Sequence, residues 1–500
     1  MRGQANKLMI ARLKLSPTDN FSWILISILL KAAMVAVFLP NIAEGFYEAA
    51  GRQVWVFKGG DTKTYFLPVE NLLSRGAYAP DYRMPGYGII YFGLRSVTPE
   101  PVAQNLLIML QLATSALATF CLAKLLYLVT KRDLVFYVTF FLFGLSMKST
   151  YWDLALLTES FALSTIIFAA YFFILWTETR KNRNIVLSGF FLTWLIFLRP
   201  AYLPVLLIVV AGVLLVGYRL HAWPWKRTVL AAGIFLTPFI FFDGLWIVRN
   251  FQKYERIIPL TKTIYYPELE QSYEGALMDF VIAYGGDRSF WNESGALRWF
   301  LPEKKHRMFG ILPPNLAPEP PDEIYTRAFN KDSLEVIRNE IAIIEAETTS
   351  AETAGKLTAD VKRKLGVYKE SIKRDKPQIY YITSRLKMIK RSLVHTWTEY
   401  LPNISLWDMD VRQKLLKVYN GSLYLSSIVL GFAGIVYFLI KRDLRITVLG
   451  GIGVFATLIY PILGHVEPRY YLPAYPFMLG VAILFSVESY TRIRSYYNRR

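Results

Sequence analysis

Ten stretches of mostly apolar residues, several of them near 20 residues long, constrain this chain more than any other feature. A helix crossing the hydrocarbon of a bilayer needs roughly 20 such residues. The stretches run from Phe21 to Ala43, Val102 to Val129, Leu134 to Met147, Leu154 to Thr177, Ile185 to Leu198, Tyr202 to Gly217, Thr228 to Val248, Ser422 to Ile440, Ile446 to Leu463 and Tyr471 to Val487. The third, fifth and sixth are short for a span, which points to tilted, broken or re-entrant helices and leaves the count open between 9 and 13. The expected fold is therefore an all-α polytopic membrane protein with about 10 transmembrane helices. The first stretch is too long for a secretory leader and has no small-residue cleavage site. The 33 Phe, 32 Tyr and 12 Trp carry too much apolar surface for a disordered chain. Cys121, the only cysteine, has no disulfide partner and lies between apolar neighbours, so disulfide and cysteine-ligated metal chemistry are excluded.

Lys and Arg decide the orientation, because short cytoplasmic loops retain them. Alternate loops carry Lys131 and Arg132, then Arg180, Lys181 and Arg183, then Arg219, Lys226 and Arg227, then Lys441, Arg442 and Arg445. Arg2, Lys7, Arg12 and Lys14 at one end of the chain and Arg492, Arg494, Arg499 and Arg500 at the other fit the same side. Both termini are expected in the cytoplasm. The formal charge of +19 is then a topology signal, and nucleic-acid binding is not implied. The expected layout is an N-terminal transmembrane domain over 1–248 with a first outer loop at 44–101, an extracytoplasmic domain over 249–418 between the seventh and eighth spans, and C-terminal transmembrane helices over 419–500 with an outer loop at 463–471.

The extracytoplasmic domain begins rich in Pro, Gly and aromatic residues, with a short strand expected near Ile257 to Tyr266. It continues as three amphipathic helices. Their stripes are Leu334, Ile337, Ile341 and Ile344, then Leu357, Val361, Leu365, Tyr368 and Ile372, then Ile379, Ile382, Leu386, Ile389 and Leu393. The third helix also carries Arg385, Lys387, Lys390 and Arg391, either a solvated face or a guide for an anionic acceptor.

Ionisable side chains are costly in the bilayer, so those near the spans are the first candidates for function. They gather at outer ends: Asp61, Asp81 and Arg83 in the first outer loop, Asp153 and Glu159 around the start of the fourth span, Arg199 at the end of the fifth, and His465, Glu467 and Arg469 between the ninth and tenth. Asp153 is either part of this group or an N-cap of a helix starting at Leu154. Arg199 either serves a site or snorkels to lipid phosphates. Lys31 lies mid-span, where a buried structural pair is the better reading.

The run Gly59-Gly60-Asp61-Thr62-Lys63-Thr64-Tyr65, followed by Leu72-Leu73-Ser74-Arg75-Gly76-Ala77-Tyr78 and Arg83-Met84-Pro85-Gly86-Tyr87, resembles the first outer loop of the GT-C glycosyltransferases. Leu157-Thr158-Glu159-Ser160, Leu198-Arg199-Pro200 and Glu467-Pro468-Arg469-Tyr470-Tyr471-Leu472-Pro473 resemble later parts of the same family, in the same order, over more than half the chain. The likeness is greatest to bacterial relatives of protein O-mannosyltransferases and aminoarabinose transferase. It implies a GT-C-type bundle in the cell (inner) membrane with its active site facing the periplasm or outside. The implied reaction is inverting hexosyl or pentosyl transfer from a polyprenyl-phosphate carrier to a hydroxyl of a glycan, lipid or protein. By resemblance Asp61 is the general base, while Arg469, His465, Arg83, Arg199 and Tyr470 hold the donor phosphate. Asp153, Glu159, Glu467 and Asp81 support the site or hold a divalent metal such as Mg or Mn, which some members use and others do not. The soluble mass lies between spans, where many relatives have it at the C-terminus. An envelope polymerase or ligase using lipid-diphosphate donors and a lipid or sugar transporter are the rival readings, the second disfavoured because transporters place polar groups near the midplane of two related halves.

Overall fold

The computed structural model describes residues 16–38, 47–49, 52–54, 61–81, 83–260, 272–288, 295–301, 318–394, 407–462 and 468–498. All ten apolar stretches contain a helix. In chain order these are α1 (Asn20–Phe38), then after two short helices α2 (Thr62–Arg75) and α3 (Pro85–Arg95), α4 (Glu100–Thr130), α5 (Asp133–Gly144) with α6 (Met147–Asp153), α7 (Glu159–Thr179), α8 (Asn182–Leu198), α9 (Leu203–Leu215) and α10 (Trp225–Tyr254). Seven helices among the described residues are long and apolar enough to cross a membrane, or eight if α5 and α6, bent by 50° at their junction, form one span. Helix α8 is shorter, at 17 residues. The last apolar stretch falls outside this group because its helix runs on into Glu488, Arg492 and Arg494. A three-residue hairpin, β1 (Tyr47–Ala49) antiparallel to β2 (Arg52–Val54) with Tyr47 opposite Val54, lies within the expected first outer loop.

The chain forms two compact units: one from the described parts of 1–262, 396–456 and 471–500, the other from those of 263–395 and 457–470. In the first, α4, α7, α8 and α10 pack side by side. Lipid cannot reward apolar contact between helices, so close approach matters instead. Gly189 on α8 supplies it, since a Cβ there would lie 2.0 Å from the carbonyl oxygen of Phe235 on α10. Helix starts and ends alternate between the two ends of this bundle. Glu159 and Glu178 lie at opposite ends of α7, about 28 Å apart at 1.5 Å per residue.

The second unit is built from α11 (Glu274–Ala283), α12 (Lys331–Ile344), α13 (Ala351–Asp375), a π-helical turn at Ile379–Thr383 and α14 (Ser384–Val394). Asn330 and Ser333 form a capping box that starts α12, and Ser350 caps α13. The stripes of α12 and α13 bury Leu334, Ile337, Ile341, Val361, Leu365 and Ile372 around Phe280, Phe300 and Phe329. Of the third expected stripe, Ile379 packs against this core but the next two positions do not. Ile382 and Leu386 are exposed, and Ser384 and Met388 face inward instead. The π turn adds a residue to the helical repeat and rotates the residues of α14 off the extrapolated phase. Residues 257–260 form no strand, and 261–266 lie outside the described residues. Next come α15 (Val411–Ile440), in the first unit, and α16 (Leu444–Ile462), whose last residues from 457 belong to the second; α17 (Tyr475–Tyr497) packs along α15.

Candidate active site

Asp61 is the N-cap residue of α2, but its side chain caps nothing. Its carboxylate instead accepts a hydrogen bond from Arg83 at 2.9 Å. Arg83 also donates to Thr64 Oγ1 at 3.1 Å and lies over the Tyr65 ring, 4.9 Å from its centre. The pair is accessible, with side chains 27% and 18% exposed.

Three contacts hold this pair against the helix ends. Thr62, next to Asp61, donates to the Leu156 carbonyl at 3.0 Å. Tyr87 donates to Gln111 on α4, and the Gln111 amide donates to the carbonyls of Asp153 and Ala155. Gly86 sits so close to the end of α8 that a Cβ would lie 2.5 Å from the backbone carbon of Phe197, and its carbonyl accepts from Trp194. The segment 61–91, the connection 154–158 and the end of α8 thus meet at one end of the bundle.

Glu159, the first residue of α7, pairs with Arg199 at the end of α8, and Arg199 also donates to Thr158 at 2.8 Å. Both are largely buried, so Arg199 is not extended towards lipid phosphates. Asp153 is the last residue of α6, and helix resumes only at Glu159. It therefore caps no helix at Leu154, and the two acids are not on one helix at all. Asp153 accepts from Lys31 at 2.9 Å and from Ser160 at 2.6 Å, which gives Lys31 its partner in a pair 2% and 0% exposed. Asp81 accepts from Arg249 at 2.5 Å, Lys253 at 3.1 Å and Tyr254 at 2.5 Å, all near the end of α10. Burial pushes the Asp81 carboxyl up, but these three hydrogen bonds outweigh it and hold the group below the usual carboxylate range.

Neither Asp153 nor Glu159 fits a divalent metal, because each carboxylate is spent on a cation and a hydroxyl. Among the described residues no group of three His, Cys, Asp or Glu side chains could hold one. Arg469 lies half-buried in a 3-10 turn over Pro468–Tyr471, which includes Tyr470; His465 and Glu467 lie outside the described residues. Tyr471 is buried and within hydrogen-bond distance of Ser427, at 3.3 Å.

The sequence setting of Lys148 does not single it out. It is 1% exposed, with its ammonium 3.5 Å from the centre of the Tyr424 ring and 5.0 Å from that of Tyr475. A lysine at the edge of an apolar stretch, as Lys31 is within one, is the signal that could have found it.

No family model and no curated protein matches the sequence. Two solved structures of an oligosaccharyltransferase from Archaeoglobus fulgidus, one holding an inhibitory peptide and a dolichol-phosphate and one in the apo form, are similar at 12% identity with TM-scores of 0.47 and 0.46. Each alignment covers 96% of this chain and 52% of the other, so the chain spans about half the length of the proteins it matches.

Proposed function

We propose that the chain is a multi-pass membrane glycosyltransferase that moves a sugar from a polyprenyl-phosphate carrier to an acceptor hydroxyl of an envelope glycan, lipid or protein, on the outer face of the membrane. The observation that carries this reading is the accessible Asp61–Arg83 pair, fixed by Thr62 and Tyr87 to the helix ends where the buried Glu159–Arg199 and Lys31–Asp153 pairs lie. Ion pairs that water reaches can exchange partners with a substrate; pairs in the interior hold a frame. This division assigns chemistry to the first pair and support to the other two.

In the proposed step the acceptor oxygen attacks the anomeric carbon, the bond from that carbon to the phosphate oxygen breaks, and the hydroxyl proton passes to Asp61. The phosphate leaves with the electron pair of the broken bond. Arg83, released from Asp61 as the donor enters, then faces that phosphate with two parallel N–H groups. Arg469, His465 and Tyr470 are carried over from the resemblance alone as further candidates for the donor phosphate. Asp81 and Glu467 are supporting groups. Asp153 and Glu159 act through Lys31 and Arg199.

Asp61→Asn keeps the shape and removes the proton acceptor, so transfer from a labelled polyprenyl-monophosphate sugar in membranes should fall by about 10² to 10⁴. Wild-type turnover by this variant ends the assignment. Turnover of the wild type with a lipid-diphosphate donor alone moves the reading to a polymerase or ligase.

A further inference from the structure

Arg83 meets the start of α2 with one edge of its guanidinium. Nε–H donates to Thr64 Oγ1 at 3.1 Å, and an Nη2–H donates to Asp61 Oδ1 at 2.9 Å. These are two parallel donors of one rigid plane, one on a neutral hydroxyl and the other on a carboxylate. The two acceptors are not equivalent, and the difference governs what Arg83 does when it changes partner.

Thr64 lies three residues after Asp61, in the first turn of α2. Its N–H donates to the Asp61 carbonyl at 2.9 Å, and its hydroxyl donates to the same carbonyl at 2.7 Å. A hydroxyl has one proton, so with that proton on the carbonyl Oγ1 meets Arg83 with its lone pairs. The branch at Cβ restricts χ1 and holds the oxygen in this direction. Beside it, the buried Tyr65 ring presents its face to the guanidinium carbon at 4.9 Å.

Asp61 cannot grip Arg83 with equal strength throughout the proposed step. A carboxylate that takes up the acceptor's proton loses its charge, and the charge-assisted bond to Arg83 weakens with it. The Thr64 hydroxyl has no charge to lose. An arginine released at every nitrogen would swing on a long, flexible side chain. Held at Nε and against a ring face, it can only turn about that contact.

We propose that Thr64 is a positioning residue for Arg83: its hydroxyl keeps Nε in place while the Nη groups pass from Asp61 to the donor phosphate. The phosphate in this statement rests on the glycosyltransferase reading. Thr64 acts through Arg83 alone and needs no contact with the sugar or the leaving group.

The test is native mass spectrometry of the full-length protein in detergent, titrated with farnesyl phosphate, a short polyprenyl phosphate with no sugar to transfer. Thr64→Val keeps the branched shape and removes the hydroxyl; Thr64→Ser keeps the hydroxyl. Thr64→Val should weaken binding by about fivefold, the range of one hydrogen bond, and Thr64→Ser should stay within about twofold of the wild type. In an Arg83→Gln background Thr64→Val should add nothing, because the group it positions is gone. A residue that merely stabilised the start of α2 would weaken binding in both backgrounds. With a polyprenyl-monophosphate sugar, Thr64→Val should raise KM for the donor and leave KM for the acceptor unchanged. Thermal unfolding checks each variant, and Thr64→Ala, the residue best suited to a helix, repeats the comparison should Thr64→Val not fold. Unchanged binding in Thr64→Val beside weakened binding in Arg83→Gln overturns this inference alone, as do additive effects in the double variant. Failure of the wild type to bind farnesyl phosphate, or wild-type binding by Arg83→Gln, overturns the proposed role of Arg83 and this inference with it.

Discussion

Lys31 and Asp153 meet 2.9 Å apart where water does not reach, so each depends on the other. Removing one charge strands its partner, at a cost of roughly 3–5 kcal/mol, whereas replacing both with apolar groups removes the problem. Lys31→Met should therefore lower thermal stability in detergent steeply, and Lys31→Met/Asp153→Leu should recover most of the loss. A single variant as stable as the wild type would show that the pair holds nothing. Asp81 allows a pH test of the same kind. Its carboxyl lies below the ordinary aspartate value in the folded chain, so its contribution is fully present above the unfolded pKa of about 3.9 and is lost as pH falls through the folded value. The stability gap between wild type and Asp81→Asn should stay constant from neutral pH down to about pH 5 and close in more acid solution. A gap that widens on acidification contradicts the sign.

Two contacts at the level of elements decide more than the helices themselves. Gly189 lets α8 lie against the backbone of α10, while a Cβ at Gly233, on α10 itself, meets nothing within 4 Å. Gly189→Ala should then cost about 1–3 kcal/mol through overpacking, and Gly233→Ala should not destabilise. Unfolding midpoints of the two variants give the comparison directly. In the second unit the π turn sets the phase of α14, leaving Leu386 at 59% exposed and Met388 at 1%. Leu386→Gln should leave stability within about 0.5 kcal/mol, and Met388→Gln should cost about 2 kcal/mol or more, in the range for burying an unpartnered amide. The reverse order would restore the phase read from spacing alone. The basic face of this helix is also partly used within its own unit, Lys387 by Glu323 at 2.5 Å and Arg391 by Asp287 at 3.6 Å. An acceptor-guiding role for the four cations is narrowed to Arg385 and Lys390.

At the scale of the whole molecule, the alternation of helix ends separates two chemistries. One end gathers Asp61, Arg83, Glu159 and Arg199; the other gathers Lys131 and Arg445 on Glu178, and Lys441 and Arg132 on Glu488. The proposed topology places the helical second unit outside the cell. In a Cys121→Ala background, a single cysteine at Thr348 should react with an impermeant reagent on intact cells, and one at Asn182 should not. Both positions are exposed, so access to the reagent is set by the membrane. Labelling at Asn182 alone would invert the orientation and move the proposed reaction to the cytoplasmic face.

Local sequence settled where the helices are, because apolar length and turn residues act over a few positions and need no partner. It also settled which residues to suspect, since an ionisable group beside a span is costly wherever the span packs. Pairing belonged to the tertiary structure. Lys31 finds Asp153 across 122 positions and Arg249 finds Asp81 across 168, distances over which spacing carries no information. The same holds for the break at 154–158 that removes Asp153 from the next helix. Charge in a low-dielectric interior must be neutralised by whatever the packing brings near, so the choice of partner is made by the fold.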